Sequence, residues 1–192
     1  MKIAITAIAA FAGAATASPY FTAGNAQSVS SAPAGALATL TIDISGVNSW
    51  DLQLDADNEV LMQSVLANAN IVGIGWDVNL ATVGASWLSE ATMNFEDALF
   101  LTVGIGDDFA GTASYSSGGI LDLTALTTPL DFFLGADGIL DIEFFESFDD
   151  VADEIDATFG QGSSLQIQYV VPAPGAVAML GLGGLVAGRR RR

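Results

Sequence analysis

Between Ser18 and Gly188 this chain carries 22 carboxylates and not one lysine, arginine or histidine. Its five basic residues are Lys2 and Arg189 to Arg192, at the extreme ends. A body carboxylate therefore faces water, takes a proton, or meets a cation supplied from outside, because burying an unpaired charge is costly. Such a surface excludes nucleic acid as a partner, since phosphate contacts need Lys and Arg. The like charges repel one another, and salt relieves part of that over a screening length of about 8 Å. Cysteine is absent, which removes disulfides and thiolate metal sites alike. Stability then rests on core burial, for which 51% hydrophobic residues supply the material. With the ends set aside, about 150 residues suit one domain with one core.

The ends read as addresses. Met1–Lys2 is a short positive start, Ile3 to Ala14 an apolar run of secretory length, and Ala15-Thr16-Ala17 a small-residue cleavage site. Small residues at Ala15 and Ala17 predict cleavage before Ser18 by signal peptidase, so residues 1–17 form a signal peptide with a hydrophobic helix. Residues 18–36, rich in Ser, Ala and Gly, read as a linker. At the other end Val171-Pro172-Ala173-Pro174 leads into an uncharged apolar stretch that closes on Arg189, Arg190, Arg191 and Arg192. The 16 residues from Ala173 to Gly188 would make a helix of about 24 Å. A hydrocarbon core of about 30 Å makes that a short span. Four arginines hold to the cytoplasmic side, leaving the body outside, as the signal peptide requires. Residues 172–192 are thus a sorting tail that engages the inner membrane, transiently or as a permanent anchor.

The order of prolyl motif, hydrophobic helix and arginine cluster in this tail resembles the PEP-CTERM sorting domain of exported Gram-negative proteins. Ala173 stands where that family's motif has glutamate. The resemblance covers about the last 22 residues of the chain. It implies processing by exosortase, a membrane transpeptidase-like enzyme, and delivery to the cell envelope, outer surface or extracellular matrix. It also implies an extracellular polysaccharide setting.

Residues 37–171 read as an acidic all-β domain. Leu40-Thr41-Ile42-Asp43-Ile44 alternates apolar and polar, and Val72, Ile74, Trp76 and Val78 alternate with Gly73, Gly75 and Asp77. Phe100 to Ile105, Ile139 to Phe145 and Leu165 to Val171 are further strand candidates. Turn signals such as Ser45-Gly46, Ser117-Gly118-Gly119 and Ala136-Asp137-Gly138 separate them. No clean 3.6-residue stripe runs through the body. Roughly eight strands in one domain predict an antiparallel β-sandwich, jelly-roll-like, flanked by the signal helix and the C-terminal hydrophobic helix. Stretches such as Gly73-Ile74-Gly75-Trp76-Asp77-Val78 and Glu143 to Asp150 resemble the jelly-roll-like bodies of other PEP-CTERM proteins.

Chemistry in this body has few options. Without His, Cys or Lys the usual nucleophile–base pairs are missing, which predicts no enzyme and no catalytic residues. Paired carboxylates for glycoside hydrolysis exist only nominally, as Glu143 with Glu146 or Glu90 with Glu96. Asp149, Asp150, Asp153, Glu154 and Asp156 place five carboxylates within eight residues. They form a candidate calcium site, since calcium takes six to eight hard oxygens. The alternative is a solvated acidic loop. Asp55, Asp57, Asn58 and Glu59 make a second oxygen-rich cluster, readable equally as an Asx turn. Calcium is the one cofactor these residues can take. Trp76 reads as core, while Trp50 and Trp87 sit near turns and could stack on sugars. The leading expectation is a non-enzymatic structural or adhesive surface protein. The alternatives are a calcium-dependent carbohydrate-binding module and, more distantly, a small glycosidase.

Overall fold

The computed structural model describes Ile5–Thr6 and residues 33–150 and 153–173. The strands are β1 (Ile5–Thr6), β2 (Leu37–Asp43), β3 (Asn48–Ser49), β4 (Glu59–Ser64), β5 (Asn70–Thr82), β6 (Ala91–Phe95) and β7 (Leu99–Thr102). They continue as β8 (Thr112–Ser116), β9 (Leu121–Asp122), β10 (Phe132–Phe133), β11 (Ile139–Glu146), β12 (Ala157–Phe159) and β13 (Ser164–Val170). Among the described residues no helix is long and apolar enough to cross a membrane. The signal cleavage site at Ala15, Ala17 and Ser18 lies outside the described residues, as do Pro174 and Arg189 to Arg192.

Every pairing is antiparallel. One sheet runs β1-β7-β6-β11-β4; the other runs β2-β13-β5-β12-β3, with β8, β9 and β10 also pairing β5. The two share one hydrophobic core, the arrangement of a β-sandwich. Period-two burial explains most strands: Leu165, Ile167 and Tyr169 of β13 point inward while Ser164, Gln166 and Gln168 alternate outward. In β5 the same rule places Ile74, Trp76, Val78 and Leu80 inside, so Trp76 is a core residue as its spacing predicts. Gly73 and Gly75 lie beneath the 117–121 segment. A Cβ on Gly73 would sit 2.7 Å from Ile120 Cγ2, and one on Gly75 would sit 3.0 Å from the Gly119 carbonyl. Close approach, rather than turn geometry, requires glycine there.

Strands β4, β6 and β8 were not among the expected candidates. β6 is buried at all five positions even though its sequence alternates, Ala91, Met93 and Phe95 against Thr92 and Asn94. The acidic cluster that ends at Asp156 runs directly into β12, a three-residue strand.

Two ends of the sandwich follow from this register. At one, Leu37 pairs Val170 and Val170 pairs Asn70, and Val171 N–H donates to Ala36 O at 2.9 Å. Gly35 N–H also donates to Val171 O at 2.8 Å there. At the other, β5 reaches Thr82 beside β12, and β12 pairs β3.

Candidate metal centre

The far end of β5 is where backbone hydrogen bonds collect acidic residues from distant parts of the chain. Glu146 N–H donates to Asp51 O at 2.8 Å and Asp156 N–H donates to Ser49 O at 3.0 Å. The short strand β3 and the residues after it are thereby clamped between the end of β11 and the start of β12. Asp153 N–H then donates to Asp51 Oδ1 at 3.0 Å, across 102 positions of sequence.

The 51–58 loop is held from beneath. Asn58, fully buried, accepts from Asp51 N–H at 3.0 Å and donates to Leu52 O at 2.7 Å and to Glu143 Oε1 at 3.1 Å. Glu143 Oε1 also accepts the Leu54 N–H at 2.5 Å, and its Oε2 accepts from Asn94 at 3.3 Å. Amide donors thus satisfy the buried Glu143 in the absence of any basic partner. Leu54 itself has φ +69°, a left-handed conformation that is rare for a bulky residue. Asp153, on the facing loop, has φ +64°.

This scaffold brings Asp51, Asp57 and Asp153 together, with one ligand oxygen from each within 4.8 Å of the others. Asp57 and Asp153 are exposed, whereas Asp51 is only 4% exposed and its Oδ2 has no hydrogen-bond partner. Burial pushes the Asp51 carboxyl above its ordinary range. The Asp153 N–H pulls it back, and the nearby Asp55, Asp149 and Asp153 raise it further. A half-sunk carboxylate with an orphan oxygen, facing two exposed ones, is a ligand set for a hard cation open to solvent on one side. Water can complete the six to eight oxygens that calcium takes.

The other expected residues divide around this set. Of the five in the 149–156 cluster, Asp153 alone enters the three-carboxylate group. Asp150 and Glu154 are exposed, and Asp149 is partly buried with an unpartnered Oδ1. Asp156 is 2% exposed and turns inward, where its Oδ1 accepts from Ser86 Oγ at 2.8 Å. Burial raises its carboxyl from the ordinary value, Ser86 lowers it, and Asp149, Asp150 and Asp51 raise it again. In the second cluster, Asp55 Oδ1 accepts Asp57 N–H at 3.1 Å, the Asx turn expected. Glu59 accepts from Asn48 at 2.8 Å. Asp51 was in neither expected cluster; its burial comes from tertiary contacts alone.

The nominal carboxylate pairs for glycoside hydrolysis do not form. Glu143 and Glu146 are three residues apart on β11 and so lie on opposite faces of the strand. Glu90 and Glu96 flank the two ends of β6, about 20 Å apart at strand rise. Trp87, by contrast, is 45% exposed near the acidic end. Its N–H donates to Glu90 Oε2 at 2.7 Å, and Ser147 N–H donates to Glu90 O at 3.0 Å, so exposed Trp87 and Phe148 flank one junction.

No family model matches the chain, and the curated proteins hold no match to it.

Proposed function

We propose that this chain is an exported surface or extracellular-matrix protein whose acidic β-sandwich works without catalysis, as a structural or adhesive module that binds calcium. The observation that carries the reading is the buried Asp51 with its orphan Oδ2 facing Asp57 and Asp153, in a body with no internal cation. Calcium sites of extracellular modules work at 10⁻⁴–10⁻³ M, so an exported location and an open three-carboxylate site suit one another. Signal peptidase and an exosortase-like enzyme are the processing partners, with the membrane engaged through the tail and nucleic acid excluded by charge. The two sheet orders support the jelly-roll reading: the eight strands of four or more residues divide four and four, β4, β6, β7 and β11 in one sheet and β2, β5, β8 and β13 in the other.

Melting the protein with calcium, and with magnesium as control, tests the site. A calcium-specific rise at millimolar concentration is expected; identical melting in calcium and in chelator would remove the cation reading. Intact mass of the protein from cells tests the address. Loss of the segment ending in Arg189 to Arg192 is expected, and its retention would sink processing.

A second reading, a calcium-dependent carbohydrate-binding module, is favoured by exposed Trp87 and Phe148 beside the acidic end. Extracellular polysaccharide would then be the partner, through sugar rings stacked on Trp87. A glycan array read in calcium and in chelator decides it: silence in both leaves the structural role alone.

A further inference from the structure

Glu146 occupies a position that the strand pattern reserves for an apolar side chain. It follows Leu140, Ile142 and Phe144 at two-residue spacing on the core face of β11. It is fully buried, yet neither Oε1 nor Oε2 has a hydrogen-bond partner. The fully buried Ser49 Oγ and the Oδ2 of Asp156 are also unpartnered. The backbone bonds that join Glu146 to Asp51 and Asp156 to Ser49 hold these groups at one spot. Asp156 is the strongest charged neighbour of Glu146, followed by Glu90 and Asp150.

Two buried carboxyls with three orphan oxygens must take up protons or meet a cation at the sheet junction, because each uncompensated charge costs several kcal/mol. Glu143, three residues earlier, shows the contrast: its oxygens are covered by Asn58, Asn94 and the Leu54 N–H. No lysine, arginine or histidine lies between Ser18 and Gly188 to play that part for Glu146.

We propose that Glu146, Asp156 and Ser49 form a second divalent-cation site, distinct from Asp51–Asp57–Asp153, in which one calcium ion ties the two sheets together. Glu146 ends β11 of one sheet and Asp156 precedes β12 of the other, so the ion bridges elements that share no backbone ladder. Two carboxylates match a doubly charged ion in net charge. Glu146 can offer two oxygens, Asp156 and Ser49 one each, and the unpartnered Asp149 Oδ1 lies on the same loop. This approaches the six to eight oxygens calcium takes, with little room needed for water.

Calorimetric titration of the full chain with calcium chloride tests the proposal by stoichiometry. The wild type is expected to bind two ions. Glu146→Gln, which keeps the shape and removes the charge, should bind one, as should Asp156→Asn. The double variant Asp57→Asn with Asp153→Asn should also bind one, having lost the other site. A wild type that binds a single ion, lost in the Asp57/Asp153 variant, would overturn this second site and leave the first intact. Two ions retained in both Glu146→Gln and Asp156→Asn would overturn it as well. No binding at all would sink both sites together. Because the wild-type count needs no variant, a misfolded substitution cannot mask the answer.

Discussion

At the Asn70 end of β5, Leu37 of β2 and Asn70 flank Val170 of β13. Apolar packing holds that end, with Ile71, Leu134 and Tyr169 buried and Asp131 accepting from Asn70 at 3.0 Å. At the Thr82 end the chain gathers its three buried carboxylates with orphan oxygens: Asp51, Glu146 and Asp156. Strand β5 is 13 residues long, so about 40 Å separates the two at strand rise. The difference lies in buried charge: Leu80, Phe144 and Phe159 are packed at the Thr82 end as well, but there buried carboxylates with unpartnered oxygens lie beside them.

Substitutions and conditions can separate the two ends. Ile167 of β13 is fully buried between Leu40 and Ile74. Ile167→Ala should cost about 2–5 kcal/mol in denaturant unfolding, while the gain from calcium stays that of the wild type. A calcium gain that shrinks along with the core would show the ends to be coupled.

Calcium at 10 mM, acting on a site of 10⁻⁴–10⁻³ M affinity, should add about 1.4–2.7 kcal/mol of stability. That is a rise of several degrees in melting temperature. Asp51→Asn keeps an acceptor for the Asp153 N–H and removes the charge, so it should fold in chelator and lose most of that gain.

In chelator, pH becomes the probe. Burial pushes the Glu146 carboxyl up to about 8 from an ordinary 4.5. The nearby Ser49 hydroxyl offsets part of this, though the two do not meet in hydrogen-bond geometry, while Asp156, Glu90 and Asp150 add to it. Between those values the folded state holds a proton that the unfolded state has lost. Stability should thus fall as pH rises from about 4.5 to 8, by up to about 1.4 kcal/mol per pH unit. Glu146→Gln should flatten much of that slope; melting curves of both proteins across this range, recorded in EDTA, check it. An unchanged slope would mean that Asp51 and Asp156, raised in the same direction, dominate.

The smallest expected effect is at Trp87. Its replacement by Ser should change stability by no more than about 0.5 kcal/mol, so any glycan signal that it abolishes belongs to recognition rather than folding.

Much of the fold was legible before any coordinates. The alternation in β2, β5 and β13 and the glycine-marked turns predicted a sandwich of about eight strands, which matches the eight strands of four or more residues. β6 alternates Ala91, Met93 and Phe95 with Thr92 and Asn94, so its period was readable; spacing could not show that Thr92 and Asn94 are buried as well. The three-carboxylate group was half legible. Linear density pointed to Asp149 through Asp156, of which Asp153 alone joins the group; Asp51 and Asp57 lie about a hundred positions earlier and could not be paired with it by spacing. Glu146 carried a signal that period-two counting can find, since it extends the Leu140, Ile142, Phe144 series onto the core face.

The amino-acid order by itself determined that the segment from Ser18 to Gly188, with all 22 acids, holds no lysine, arginine or histidine. It also determined the strand periodicity, since side chains of a strand alternate whatever the strand pairs with. Only the tertiary structure decided which of the 22 acids leave water. Burial is set when β3, the end of β11 and the start of β12 meet across the sheet junction, and that meeting leaves Asp51, Glu146 and Asp156 buried with unpartnered oxygens, while Glu143 is covered by amide donors.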